Sequence, residues 1–464
     1  NNKYEPRMRI GAFDFFDDGK TAAVCTWDGD VWIVSGIDDG LQNLQWKRFA
    51  TGLHEPLGLK IVDGKIYTVG DNQITRFHDL NGDGEADFLE NFNNDWDATE
   101  GFHAFCFDLQ TDPQGNFYFS MGCPVRAGGA GFERLGRHHG CVLKISPSGD
   151  ELSIFASGFR APNGIGVGPN GEVTTGDNEG SFVPTAPLNW VKPGSFNGVV
   201  DSYKGDRKLK SSAIDGYVIP YSDWGEYRRS FMKRAGFQHF PEESPKPLVW
   251  MSKKRGVDNS GGGQGWVTSD KWGPLKDQLL HMSYGQSKLY VVLKEQKNGQ
   301  MQGGVSRIPI ELSSSAMRAR INPKDGQLYV SGLKGWQTNA KGNGGLDRIR
   351  YTGKPVHLPS SLQVKKDRIE IGFYEPLSSA EANDLSKYKL GAWNLKWTSN
   401  YGSPEIPVND LKLEKVELLE DGKTVALHVP NLRPAHMVQV DYELQSADGI
   451  PFKGRIDHTI HEVE

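Results

Sequence analysis

Residues 57–70, Leu-Gly-Leu-Lys-Ile-Val-Asp-Gly-Lys-Ile-Tyr-Thr-Val-Gly, hold the pattern that decides the fold: an apolar stretch, a tight Asp63-Gly64 corner, and a second strand ending in small residues. Glycine accepts the positive φ that a residue with a Cβ reaches only under strain, so Asp63-Gly64 reads as a hairpin turn. The unit returns over residues 12–27, 106–122, 164–177 and 319–332, with turn glycines Gly19, Gly115, Gly171 and Gly326. A diverged copy lies in residues 261–285, where Gly261, Gly262, Gly263 and Gly265 mark the turn region. Short-stranded repeats at intervals of roughly fifty residues are the mark of a propeller, because each blade must bury its faces against its neighbours. Six such units predict six blades.

Composition points the same way. Glycine supplies 56 of 464 residues, which favours a turn-rich all-β chain. The 53 basic and 58 acidic residues are scattered and give a net charge of −5, so there is no polybasic footprint for nucleic acid. No apolar run approaches the roughly 18 residues that membrane insertion needs. Residues 1–6, Asn-Asn-Lys-Tyr-Glu-Pro, resemble neither a signal peptide nor a natural start, so the chain reads as a mature or excised piece. Cys25, Cys106, Cys123 and Cys141 allow three pairings or none and match no CxxC motif. The 12 Trp and 15 Tyr, many beside Gly or Asn in loops, offer polar-tipped rings on which sugars stack.

Residues 202–247, rich in Lys, Arg, Tyr and Pro, lack alternation and read as an insertion over one face. After Gly353-Lys354-Pro355 the pattern becomes a run of alternating strands, over residues 361–377, 388–397, 412–430 and 437–449. The expected architecture is therefore all-β: a six-bladed β-propeller over 1–355, then an immunoglobulin- or fibronectin-like β-sandwich over 356–464.

Residues 79–90 fit the calcium-loop pattern D-x-[DN]-x-[DN]-G-x5-E. Asp79, Asn81, Asp83, the Glu85 carbonyl, Asp87 and Glu90 are the expected ligands, with Gly84 permitting the sharp turn. The loop joins propeller strands and not two helices, so the ion is expected to stabilise and not to sense. Arg137-His138-His139-Gly140-Cys141 places two imidazoles and a thiol together. Adjacent strand residues face opposite ways, so the two rings could not readily share one ion, and His138 and His139 are read as polar groups of the channel.

Several segments resemble the glucose/sorbosone dehydrogenase-like propellers, more closely a branch found in multidomain proteins of planctomycete and verrucomicrobial bacteria. They are Ser157-Gly158-Phe159-Arg160-Ala161-Pro162-Asn163-Gly164, Gly176-Asp177-Asn178-Glu179-Gly180, Gly335-Trp336 and residues 345–354, with Trp393–Trp397 and Asn400–Ser403 in the tail. The resemblance implies that His103 stands where the family's general base acts on a sugar hydroxyl, and Arg160 where its quinone- and substrate-holding arginine sits. Ala161 and Asn163 depart from the family's turn, which has Asn and Gln there, and no quinone-binding lysine is placed. The resemblance further implies pyrroloquinoline quinone as cofactor, an electron-transfer partner such as a cytochrome, and a periplasmic or secreted location.

Imidazole titrates near neutrality and so serves as a base without a large shift, which suits His103 at the start of an inner strand. Arg160, in a turn fixed by Gly158 and Pro162, can aim at a carboxylate, a quinone oxygen or an enolate. His103 and Arg160 are expected to face one another across the mouth of the channel, with Asn163, His138, His139, Asp177, Asn178, His281 and Trp336 as binding or supporting groups. Three functions compete: oxidation of a sugar or glycoside, cleavage of a polysaccharide by a lyase or hydrolase, and glycan binding without catalysis.

Overall fold

A computed structural model describes residues 7–99, 101, 103–129, 132–133, 135–181, 183–199, 244–398 and 401–463. Most of the expected insertion, residues 202–243, and Asn400 lie outside them. The regular structure of the described residues is almost wholly β-strand, in antiparallel sheets whose strands follow sequence order through the repeats but not in the tail. Six successive sheets open with the inner strands Ile10–Phe15, Gly58–Val62, Cys106–Thr111, Ile165–Val167, Gly261–Trp266 and Arg318–Ile321. Each inner strand contacts the next, and the sixth returns to the first. All five predicted turn glycines sit in the left-handed region, at φ between 58° (Gly19) and 84° (Gly115).

The inner strands carry charge where a strand buried on both faces is usually apolar. The Asp108 carboxylate lies 3.0 Å from the Arg320 guanidinium and 3.7 Å from that of Arg318. Asp14 pairs with Lys60 at 2.8 Å and approaches Arg320 at 3.9 Å. Arg318 also donates to the carbonyls of Leu57 at 3.1 Å and Asn163 at 3.2 Å. A Cβ on Gly263 would stand 2.8 Å from the Asp108 carboxylate, so the fifth sheet must offer glycine there. Charged residues on the inner strands of the first, second, third and sixth sheets thus close the centre on one ion network. Burial opposes the charge on Asp108, but Arg318 and Arg320 prevail and hold its carboxyl below the usual range.

The repeating pattern ends near residue 355, yet packing runs across that point. Strand Gln300–Arg307, the outer edge of the fifth sheet, pairs with the tail strand Pro451–Ile460 in the register Gly303↔Thr459 and Val305↔Asp457. The sheet continues through Ala435–Gln445, Tyr388–Leu395 and Glu405–Pro407. A four-stranded tail sheet that includes Arg368–Phe373 faces it, with Phe373 edge-on to Tyr442. Leu280, Val291 and Leu328 of the repeats share one apolar core with Leu362, Val425, Val440 and Ile456 of the tail. The tail therefore caps an otherwise open sheet edge. None of the four cysteines is in a disulfide. All are buried, and Cys25 donates to the Pro56 carbonyl at 3.3 Å. Among the described residues no helix is long and apolar enough to cross a membrane.

Candidate functional site

His103 precedes the inner strand Cys106–Thr111 and holds φ 71°, a left-handed conformation uncommon outside glycine, though His, Asn and Asp reach it more readily than most residues. That backbone turns its ring edge-on to Phe105 at 5.9 Å and Trp336 at 6.1 Å. Trp336 stacks on Phe105 at 5.4 Å, meets Trp27 edge-on at 5.2 Å, and takes backbone support from the Tyr284 hydroxyl, which accepts its N–H at 3.0 Å. Loops from four sheets thereby build one aromatic wall beside the imidazole.

Arg160 arrives from the turn between the third and fourth sheets. Asp177 fixes that turn: its carboxylate accepts the N–H of Arg160 and of Ala161, each at 2.7 Å, and that of Asn178 at 2.8 Å. Burial still pushes Asp177 up to about 6 against these donors. The Arg160 guanidinium donates to the Gly129 carbonyl at 2.9 Å and lies against Gly180, where a Cβ would come 2.1 Å from Nε. The ring of Tyr401, from the tail, covers it at 5.4 Å. His103 and the Arg160 turn flank Gly122: a Cβ there would meet the His103 carbonyl at 2.7 Å and Ala161 Cα at 3.7 Å. Burial first, and then the Arg160 charge, lower His103 to about 4, so the ring is neutral at pH 7.

The remaining residues divide. Trp336 belongs to this aromatic cluster. Asn163 lies beneath it, its side-chain oxygen accepting from Arg318 at 3.3 Å. Asn178 is half-buried and acts through Asp177. His138 and His139 brace loops: Nδ1 of His138 accepts the Asp97 N–H at 3.1 Å and Nδ1 of His139 that of Gly136 at 2.7 Å. Their turn presses on the Arg160 turn through the Gly140 carbonyl, which accepts the Phe159 N–H at 3.1 Å. His281 is fully buried, 2.7 Å from Asp258, whose other oxygen takes the Ser283 hydroxyl at 2.5 Å. It faces that pair and not an open space. Sequence reading missed Asp108, Arg318 and Arg320, although charged residues inside the short inner strands Cys106–Thr111 and Arg318–Ile321 were the available signal.

The 79–90 loop joins strands Ile74–His78 and Phe88–Asn93 of the second sheet. Asp79 accepts the N–H groups of Gly82 and Gly84 at 2.7 and 2.8 Å, and Asp87 that of Leu80 at 2.7 Å. The Asn81 amide nitrogen sits between the carboxylates of Asp83 and Asp87, at 3.2 and 3.1 Å, where a cation's charge would lie. Glu90, expected as the twelfth ligand, is elsewhere. It stands directly across the ladder from Arg76, forks with that guanidinium through two 2.6 Å bonds, and takes His78 at 2.6 Å. A bidentate charge pair outcompetes the loop for it. Among the described residues, the acidic and imidazole groups that gather within 4.8 Å as a trio are His54, Glu55 and Asp71, not those of the loop.

No family model matches the chain, and no curated protein does. Among solved structures, an oxidoreductase (glucose dehydrogenase) of Thermus thermophilus aligns with a TM-score of 0.51 at 16% identity, over 73% of this chain and 96% of its own. A glucose dehydrogenase aligns at 0.49 with 12% identity, over 75% and 99%. The PQQ domain of pyranose dehydrogenase from Coprinopsis cinerea aligns at 0.44 with 9% identity, over 80% and 91%. In fold, this chain is similar to the propeller of the glucose dehydrogenase-like oxidoreductases.

Proposed function

We propose that the chain is a six-bladed propeller with a C-terminal sandwich that oxidises a hydroxyl of a sugar or glycoside, in the periplasm or outside the cell. The observation that carries this reading is a neutral His103 beside the buried Arg160 charge, against an aromatic wall. A neutral imidazole can accept the hydroxyl proton, Arg160 favours the alkoxide that forms, and Trp336 with Phe105 offers an apolar face to the sugar ring.

Pyrroloquinoline quinone would supply the hydride acceptor when bound, and its three carboxylates call for cations. Of the cations near this mouth, Lys253 pairs with Glu179 at 2.7 Å, whereas Arg160 meets a neutral carbonyl, that of Gly129, with the Tyr401 ring against both. Arg160 would hold one quinone carboxylate, and the chemistry of the chain's own residues stops at the proton. A base beside an arginine also suits β-elimination from a uronate, the second reading. The protein is to be given neutral and uronate-bearing saccharides together with calcium, the quinone and an artificial electron acceptor. Acceptor reduction supports the first reading, an unsaturated ultraviolet-absorbing product supports the second, and neither product would leave glycan binding alone.

We also assign calcium to Asp79, Asn81, Asp83, the Glu85 carbonyl and Asp87, with the Asn81 amide turned to present its oxygen, and without Glu90. An ion at about 100 times its dissociation constant adds ~2.7 kcal/mol of stability, so chelation should lower the melting temperature by several degrees. The chemistry of the mouth should be untouched. A melting curve unchanged by chelator would remove the assignment.

A further inference from the structure

The chain is acidic overall, with a net charge of −5, yet one cavity of about 680 Å3 inverts that sign. It lies at the seam between the fifth sheet and the tail and is lined by seven lysine and arginine side chains against three carboxylates, Asp441, Glu443 and Asp457. Some of the cations are answered: Arg455 pairs with Asp441 at 2.6 Å and Lys387 with Glu381 at 2.8 Å. Lys288, Lys389 and Lys453 carry no ion pair among the described residues. Burial first, and then the Arg307 charge, lower Lys288 against the opposing pull of Asp457 and Asp258. Burial pushes Asp457 up to about 7, which weakens the opposing charge further.

We infer that this seam binds a segment of an anionic polysaccharide, sulfated or uronate-bearing, through Lys288, Lys389 and Lys453. The volume suits a few sugar rings, since ligand clefts run from about 300 to 1,000 Å3. The lining tyrosines, Tyr290 and Tyr442, are buried, so they present no face on which a nucleic-acid base could stack. The choice of a glycan rests on the carbohydrate reading of the mouth; the preference for an anion rests on the seam alone. A site formed half by the tail also gives that tail a task beyond capping a sheet edge.

Calorimetric titration of the full chain with dextran sulfate, with unsulfated dextran of equal length and with duplex DNA tests this. Dextran sulfate should bind, more weakly as salt rises, and dextran should not. The double variant Lys389→Glu/Lys453→Glu reverses two exposed charges and should lower that affinity about 10-fold or more. Reversal of the exposed Lys415, outside the seam, should leave affinity unchanged, and so should His103→Asn. Equal binding of dextran, tighter binding of DNA, or full affinity in the double variant would overturn the inference. Binding that persists in a protein with no turnover would leave the seam standing and remove the reading of the mouth.

Discussion

Replacing His103 by asparagine should lower turnover by about two to four orders of magnitude, the range a positioned general base contributes, while the melting temperature barely moves. Asparagine is the informative choice because it tolerates the left-handed backbone that His103 holds at φ 71°. The pH profile adds a signature that a structural residue would lack. With its ring lowered to about 4, first by burial and then by Arg160, the free enzyme should keep kcat/KM down to that region and not lose it near the ordinary imidazole value. Arg160→Ala removes the neighbouring charge and should move the acid limb upward. Linkage has the same sign: between the unfolded value near 6.5 and about 4 the unfolded chain binds more protons, so this group costs stability as pH falls through that window. An acid limb that ignores Arg160 would contradict the pairing.

Asp108→Ala should be the most destabilising single change in the propeller, by about 3 to 5 kcal/mol, because it leaves the buried Arg318 and Arg320 guanidiniums without their shared carboxylate. Arg318 is fully buried, so water cannot take over. Denaturant midpoints should also show that a variant replacing Asp108, Arg318 and Arg320 together by apolar residues recovers part of the loss, since a whole buried ion cluster can be exchanged where half of one cannot. A loss under about 1 kcal/mol for the single variant would mean the network does not hold the ring closed.

Much of the fold was legible because its signals are local. Gly19, Gly64, Gly115, Gly171 and Gly326 each announce a turn through their own backbone requirement, and all five hold positive φ. The Arg160 turn was legible through resemblance, and Asp177 within the same quoted segments proves to be what fixes it. The rest depends on partners far away in the chain. Nothing near Asp108 foretells Arg318, and nothing near Gly303 foretells its pairing with Thr459. Glu90 shows how a local match can mislead. It completes a calcium-loop pattern in sequence, but strand register sets it opposite Arg76, and a two-bond charge pair decides its direction.

A crystal soaked with an oligosaccharide substrate shows whether a sugar hydroxyl meets His103 beside Arg160. The expected result is a sugar ring against Trp336, with the reacting hydroxyl within hydrogen-bond reach of the His103 imidazole, roughly 2.6 to 3.2 Å. A saccharide bound elsewhere, with His103 still closed against Phe105 and Trp336, would contradict it.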